Sequence, residues 1–166
     1  GQHAANGIVF PDLSGPYFAE VVLGYEEVAA ELGRSVLILS THGRQAAREM
    51  VLDLSARVDG LVVLGRTVDD SVLETLARKR LPLVLMARDG IDAGMVDAGP
   101  VDTLNAENTE SARALADHLL GDHGYRDLVF LGDASTSVDT SQRWAGFRRG
   151  LEAHGLTRPA RQVPCA

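Results

Sequence analysis

The sequence predicts an α/β fold built on a parallel sheet, and three observations predict it. Short runs of strand-forming apolar residues alternate along the chain with stretches whose apolar residues recur at helical spacing. Glycine or proline marks several of the junctions. The 166 residues are 45% apolar and 23% charged, as in ordinary globular domains. Alternation of this kind is typical of parallel strands joined by right-handed helical crossovers.

The first strand and the turn after it organise the rest of the chain. Residues 8–10 (Ile-Val-Phe) suit a strand that is covered on both faces. Ser14 is expected to cap the following helix, whose first turn tolerates Pro16. Tyr17 and Phe18 would then lie at the carboxyl end of the first strand, which is the edge where open α/β sheets bind their ligands.

The same patterns predict the remaining elements in order. Further strands are expected at residues 36–39, 58–65, 81–87, 101–106 and 128–131, and helices at 18–32, 46–56, 70–80, 108–120 and 141–154. Loops are expected at 88–100 and 133–140, and Gln162-Val163 would begin another strand. The favoured domain boundary follows the fifth strand, which gives domains of residues 1–106 and 107–166.

Charge and composition exclude several classes of protein. The net charge of −7 argues against this segment holding nucleic acid by itself, because phosphate neutralisation needs a basic face. The lone Cys165 rules out an internal disulfide and fits a reducing compartment. No apolar run approaches the ~20 residues that span a bilayer, and the first residues lack a signal pattern, so no membrane contact is expected.

Signatures of catalytic, phosphate-binding and metal sites are absent from the sequence. No G-x-G-x-x-G follows the first strand, and there is no G-x-x-x-x-G-K-[ST], H-E-x-x-H, paired-cysteine or G-x-S-x-G motif. The histidines are scattered and are interpreted as surface or helix-end residues: His3, His42, His118, His123 and His154. We therefore expect no cofactor, no metal site and no enzymatic activity.

Polar and aromatic residues gather at the predicted strand ends and at the start of the last helix. The candidate ligand-binding residues are Ser14, Tyr17, Phe18, Arg66, Arg88, Asn108, Asp133, Arg143 and Trp144. Arginine, asparagine and aspartate match vicinal hydroxyls or carboxylates, and aromatic rings cover C–H surfaces. Because neither contact needs a tuned pKa, the set indicates reversible binding of a small polar molecule rather than catalysis.

Several of these residues also have an ordinary structural interpretation. Phe18 continues the apolar stripe of its helix and would serve equally in the core. Arg66 and Arg88 are compatible with solvated loop charges, and Asn108 with a simple helix cap. Arg143 is poorly placed for the helix dipole near the start of a helix, so another partner must account for it.

Four segments, in order from about residue 7 to 156, resemble the lactose/galactose-repressor family of bacterial transcription regulators. PDLSGPYF resembles the family's PDLSNPFF-type segment, and RVDGLVVLG its VDGII-type strand. AENTESARALADHLLGDHGYRDLVFLG resembles the DN-x-x-GA…HL…GHR-x-I-x-FIG stretch, and SQRWAGFRRGLEAHGL the R-x-x-GF-x-x-AL helix. Four such matches in sequence are far more specific than any single one.

The resemblance implies the effector-binding core of such a regulator. Its fold would be periplasmic-binding-protein-like type I, with two doubly wound parallel-sheet subdomains, the second incomplete here and the DNA-binding headpiece absent. The family pattern implies that Ser14, Tyr17 and Phe18 line the effector pocket and that Arg143 grips effector hydroxyls or a carboxylate. Asn108 corresponds to the family's Asp-Asn pair at the crossing between subdomains. Arg66 and Arg88 would follow strands whose ends face the cleft.

The implied function is regulation by a sugar-like effector or polyol held between the subdomains. Its binding would alter operator DNA affinity through the headpiece of a cytoplasmic homodimer. The chain departs from the family at Gly15 (usually Asn), Glu107 (Asp), Ser111 (Gly) and Tyr125 (His), which leaves the effector's identity open. Two alternatives remain, a periplasmic sugar-binding protein of a transporter and an enzyme on a flavodoxin-like sheet; the codons preceding this segment would separate the first from a regulator.

Overall fold

A computed structural model describes residues 3–12, 15–88, 99–135, 137–156 and 161–164. The chain divides into two compact units, Gly1–Leu104 and Asn105–Ala166. Within the described residues, no helix combines the length and apolar content that crossing a bilayer requires.

The first unit contains a five-stranded parallel sheet with strand order β2-β1-β3-β4-β5. Its strands are β1 (Ala5–Phe10), β2 (Ser35–Ser40), β3 (Leu61–Leu64), β4 (Leu83–Met86) and β5 (Val101–Leu104). Its helices are α1 (Pro16–Glu31), α2 (Ala47–Ser55) and α3 (Asp70–Arg78). The predicted α/β class with parallel strands and helical crossovers is confirmed.

β1 lies inside the sheet and is buried on both faces, as its three apolar residues predict. Val9 belongs to the core cluster that α2 and α3 cover, whereas Ile8 and Phe10 belong to the cluster on the side of α1. All three side chains are fully buried. The alternation of successive side chains between the two faces of a strand produces this division.

The start of α1 differs from the prediction that Ser14 caps it. The cap residue is Gly15, with φ of 91°, and it makes no side-chain capping bond. Glycine adopts this left-handed conformation without the steric cost that a Cβ brings. Ser14 itself lies outside the described residues. At the other end Gly33, with φ of 63°, stops the helix as predicted.

The second unit pairs two helices with a short sheet. Its elements are α4 (Thr109–Gly121), β6 (Val129–Leu131), α5 (Val138–Ala153) and β7 (Arg161–Val163). β6 and β7 pair in parallel, and the core holds Ala116, Leu120, Phe147 and Leu151. α5 begins earlier than the predicted Ser141, because the Ser137 hydroxyl accepts a hydrogen bond from the Thr140 amide across 3.1 Å and caps the helix.

Two glycines let α5 approach α4 closely. A Cβ at Gly146 would lie 1.9 Å from the carbonyl oxygen of Thr109, and one at Gly150 would lie 2.5 Å from the Cβ of Ala116. No larger side chain fits either position without moving backbone or a packed methyl group. This contact brings the first turns of α5 onto the start of α4.

Candidate functional site

Asn108 is the buried centre of a polar cluster in the second unit, which it forms with Asp139, Gln142 and Arg143. Its side chain is at the N-cap position of α4 and is 5% exposed, yet it makes no capping bond to its own helix. The amide nitrogen lies 3.1 Å from Asp139 Oδ1 and 3.2 Å from Gln142 Oε1, both on α5, and 3.2 Å from the carbonyl oxygen of Ala106. The interpretation of the Asn108 side chain as a simple helix cap is therefore wrong, since it bonds to α5 and not to the amides of its own helix.

Arg143 is the partner of the Asn108 carbonyl group. Its Nε donates to Asn108 Oδ1 across 2.8 Å, and the residue is exposed. Within the described part of the chain, Asn108 is its sole hydrogen-bond partner, and neither terminal nitrogen donates to a described residue. A guanidinium fixed through Nε in this way keeps a two-nitrogen fork for a carboxylate, a phosphate or paired hydroxyls.

Glu107 performs the capping that its neighbour does not. Its carboxylate accepts from the Glu110 amide across 2.7 Å and from the Ser111 amide and hydroxyl across 2.9 and 2.8 Å. The bond from the Glu110 amide, followed by those from Ser111, lowers the pKa of the Glu107 carboxyl. With the carboxylate holding the helix amides, the Asn108 side chain is free to reach α5.

A groove of about 380 Å³ lies beside this cluster, within the second unit. It is mostly apolar, and the side chains of Asn108 and Arg143 contribute to its lining. The other lining residues are Ser111, Ala112, Leu115, Ala116, Leu119, Val129, Phe130, Leu131 and Phe147. A concave apolar surface with a few fixed polar groups is the usual composition of a small-molecule site.

Asp133 and Trp144, both candidates from the sequence, have structural partners in this unit. The Trp144 ring stacks on Phe147 with centroids 5.8 Å apart and meets Phe130 edge-on at 5.3 Å. The Asp133 carboxylate accepts from the Ser135 hydroxyl and amide across 2.7 and 2.8 Å, and these bonds lower its pKa. Trp144 thus packs against the core, and Asp133 orders the turn after β6.

In the first unit, Tyr17 and Phe18 occupy the first turn of α1 beside the end of β1. Phe18 packs against the core, 5.5 Å from the Phe10 ring. Tyr17 is 56% exposed, and its ring meets Phe18 edge-on at 5.4 Å. The core interpretation therefore describes Phe18, whereas Tyr17 presents an aromatic surface to solvent at the carboxyl edge of the sheet.

Arg88 and Arg66 differ sharply in their surroundings. Arg88, 5% exposed, donates to the carbonyl oxygens of Gly65 and Val68 across 3.1 and 3.2 Å and forms an ion pair with Asp70. It therefore holds the loop after β3. Arg66 is exposed in that loop, and no described residue pairs with it.

Some polar residues of these sites are not among the candidate ligand-binding residues from the sequence. Asp139 and Gln142 contact Asn108 from α5, and their spacing of three residues, which places both on one face of a helix, is the signal that the sequence offered. The Ser40 hydroxyl, at the end of β2, and the Thr67 hydroxyl, in the loop after β3, are buried with no hydrogen-bond partner among the described residues.

Comparison with known proteins decides the family. Residues 3–166 match the family described as periplasmic binding proteins and sugar binding domain of LacI family. This chain belongs to that family. The resemblance drawn from the four sequence segments is confirmed, and so is the periplasmic-binding-protein-like fold.

Curated relatives of this LacI-type domain include two bacterial regulators. The maltose regulon regulatory protein MalI of Escherichia coli K12 is 31% identical over 94% of this chain and 44% of its own length. The HTH-type transcriptional repressor PurR of Photobacterium profundum is 29% identical over 91% of this chain and 44% of its own. The chain thus spans less than half the length of the curated relatives it matches.

Solved structures share the fold. The Cra dual regulator of Pseudomonas putida, in complex with fructose 1-phosphate, aligns with a TM-score of 0.80 at 24% identity over 98% of this chain and 58% of its own. A periplasmic binding protein/LacI regulator of Alkaliphilus metalliredigens, complexed with D-xylulofuranose, aligns with a TM-score of 0.79 at 20% identity, over 98% of this chain and 56% of its own. These likenesses concern the fold of the LacI-type core.

Proposed function

We propose that this chain is the effector-binding core of a cytoplasmic bacterial transcription regulator, most simply a repressor, whose effector is a sugar or related polyol. Effector binding would change the affinity of a homodimer for operator DNA, through a DNA-binding headpiece outside this segment. The net charge of −7 supports assigning DNA contact to another part of the protein.

The observation that carries the proposal is the Asn108–Arg143 pair beside the apolar groove. The guanidinium is already oriented by its Nε bond to a buried asparagine. The arginine side chain therefore loses little conformational freedom when its terminal nitrogens bind an effector. A sugar offers paired hydroxyls to such a fork and C–H surface to an apolar wall. A phosphorylated or carboxylated sugar would use the same donors with an added charge attraction.

We propose that the first unit contributes Tyr17 and Arg66, which are exposed at the carboxyl edge of its sheet. Ser14 completes the set carried over from the family pattern. Arg88 and Phe18 act behind them, Arg88 by holding the loop that carries Arg66 and Phe18 by supporting the Tyr17 ring. Asp133 and Trp144 similarly stabilise the second unit and are not proposed to contact the effector directly.

A regulator is favoured over a periplasmic transport protein, although the family description covers both. The matching curated relatives MalI and PurR are regulators. The DNA encoding the residues before this segment tests the assignment directly. A helix-turn-helix there supports it, and a secretory signal peptide would overturn it in favour of the transport protein.

The effector proposal is tested by thermal-shift screening followed by calorimetry. The screen contains neutral sugars, polyols, nucleosides and sugar phosphates, because any ligand that binds the folded state raises the melting temperature. For the best ligand we expect Arg143→Ala to weaken binding on the order of 10- to 100-fold, the worth of hydrogen bonds to a charged group.

Arg148→Ala is the matched control. It removes an exposed arginine of the same helix whose partner is Glu152, 3.5 Å away, and it should leave the affinity unchanged. Equal affinity of the parent and Arg143→Ala would remove Arg143 from the site. Binding of nothing but nucleosides would overturn the sugar assignment while keeping the effector-binding role.

A further inference from the structure

Two histidines scattered in the sequence come together at the end of α4. The Nε2 atoms of His118 and His123 lie 3.0 Å apart, with the ring centroids separated by 4.6 Å. The other nitrogen of His118, Nδ1, lies 2.7 Å from Asp122 Oδ2. The His118 side chain is 52% exposed, so the pair is open to solvent.

The backbone after α4 fixes the positions of the two imidazoles. The His123 amide donates to the carbonyl oxygen of His118 across 3.3 Å, and the Tyr125 amide donates to that of Leu119 across 3.1 Å. Gly124, with φ of 69°, then turns the chain back toward α4 and so places Tyr125, as glycine commonly does after a helix. The Tyr125 ring stacks on His123, with centroids 5.8 Å apart. The end of the helix therefore fixes the two backbone positions from which the imidazoles meet.

Asp122 determines which nitrogen of His118 is available. A carboxylate at Nδ1 accepts the N–H there, which leaves the lone pair of a neutral imidazole on Nε2. That lone pair faces the Nε2 of His123. A carboxylate behind a histidine in this way is the common support of metal-binding imidazoles, since it fixes ring orientation and raises the basicity of the ligand nitrogen.

We propose that His118 and His123 form a surface site for a divalent transition metal ion such as Zn²⁺, Ni²⁺ or Cu²⁺. Imidazole nitrogens bind such ions at about 2.1 Å. Two of them therefore lie about 3.4 Å apart at the tetrahedral angle of Zn²⁺, which a small rotation of the exposed rings supplies, and about 3.0 Å apart at the right angle of square-planar or octahedral coordination. The ring centroids of such a pair, about 1.15 Å behind each nitrogen, would be separated by about 4.6 Å, so the nitrogens already have a spacing that fits a shared metal ion. The ion would replace the contact between the two Nε2 atoms, with each imidazole carrying its proton on Nδ1.

The surroundings favour a cation but limit the affinity. The site lies at the C-terminus of α4, where the helix dipole attracts positive charge. Among the described residues no group of three or more His, Cys, Asp and Glu side chains is placed so that it could hold a metal ion. His118 and His123 would therefore be the two protein ligands, and water would complete the coordination. Nitrogen ligands select these ions over Mg²⁺ and Ca²⁺, which prefer oxygen.

The test is titration of ZnCl₂ into the chain, without a polyhistidine tag, followed by calorimetry and by the thermal melting temperature. We expect one Zn²⁺ per chain and a rise in melting temperature, both lost in His118→Gln and in His123→Gln. Asp122→Asn should weaken Zn²⁺ binding by roughly 10-fold, as removal of a supporting carboxylate does elsewhere. Because these three side chains are on the surface, melting without zinc should be unchanged and would verify folding.

His154→Gln is the control, since it removes a histidine of the same unit whose partner is Asp117, 3.3 Å away. Its Zn²⁺ affinity should equal that of the parent. Retention of the parental affinity by either His118→Gln or His123→Gln overturns the proposal, as does the absence of zinc binding by the parent. MgCl₂ in place of ZnCl₂ should give no binding, and equal binding of Mg²⁺ would also overturn it.

Discussion

The Nε of Arg143 donates a hydrogen bond to the Oδ1 of Asn108 across 2.8 Å, joining the start of α4 to the first turns of α5. The amide nitrogen of Asn108 meanwhile faces acceptors on Asp139 and Gln142. One buried amide thus connects two helices and orients the guanidinium that we propose as the effector anchor. Stability and binding should therefore depend on the same side chain.

Replacing Asn108 by alanine should lower the free energy of unfolding by about 1–3 kcal/mol, because its buried partners on α5 lose their hydrogen bonds. Urea denaturation measures the change. Effector binding should weaken as well, since Arg143 loses its orientation. Gln45→Ala removes an exposed amide in the first unit and should change neither quantity. A stable Asn108→Ala would mean that the helix packing alone holds this region.

Replacing Gly146 by alanine should destabilise the second unit by about 1–3 kcal/mol. The added methyl group would lie 1.9 Å from the Thr109 carbonyl oxygen, so α4 and α5 must move apart. Gly24→Ala is the matched control within α1, where a Cβ meets nothing within 4 Å. There alanine should stabilise by about 0.5–1 kcal/mol through its helix propensity. Shifts of the melting temperature in opposite directions for the two variants would verify the close approach of α4 and α5, and shifts in the same direction would refute it.

Replacing Arg88 by methionine should cost about 2 kcal/mol of unfolding free energy. The change leaves the carbonyl oxygens of Gly65 and Val68 without their buried donor. Asp70→Asn should cost less, because the Asp70 side chain is 71% exposed and water replaces the guanidinium. Chemical denaturation of both variants ranks the two effects. A larger loss for Asp70→Asn would show that the ion pair, and not the carbonyl contacts, holds the loop.

Glu107 should make the thermal stability of the chain depend on pH in the acid range. Hydrogen bonds from the helix amides place its folded-state pKa below the ordinary value of 4.5. Its contribution is therefore present above about pH 4.5 and is lost as the pH falls through the lower, folded-state pKa. Melting temperatures of the parent and Glu107→Gln should differ at pH 7 and converge toward pH 3. Glu20→Gln, an exposed change on α1, should run parallel to the parent. A constant gap across this range would contradict the capping role.

The proposed homodimer predicts an apolar contact on the first unit. Val28 and Leu32 near the end of α1 and Ile38 on the edge strand β2 are exposed. We expect Val28→Lys combined with Ile38→Lys to shift the chain toward monomer in sedimentation velocity. Burying unpaired charge in an apolar interface is costly, whereas the same charge on α3, in Ser71→Lys, should be tolerated. An unchanged association state in the double variant would place the dimer contact elsewhere.

The sequence predicted the elements of the first unit well because each depends on local chemistry. Residues 8–10 are continuous strand formers with no polar face, and the strand is buried on both sides. Gly33 ends α1 because a left-handed residue is needed there. The prediction that Ser14 caps α1 was wrong for the same kind of reason, since the conformation at the cap position suits the glycine one residue later.

Predictions of side-chain roles were less complete, because those roles depend on residues far apart in the chain. Arg88 and Arg66 look alike in sequence, yet one is buried against a neighbouring loop and the other is exposed. His118 and His123 matched no ligand motif, and their rings come together where the chain leaves α4, with the His123 amide bonded to the His118 carbonyl oxygen.

The sequence by itself determined the alternation of strands and helices, the family, and the residue types available for binding. Apolar periodicity and chain-breaking residues act over a few neighbours, so they are legible without coordinates. Only the tertiary structure decided that Asn108 orients Arg143, because that contact exists where Gly146 lets two helices approach within the reach of a side-chain hydrogen bond. The burial and pairing of these polar side chains arise from packing between distant segments, and no local pattern encodes them.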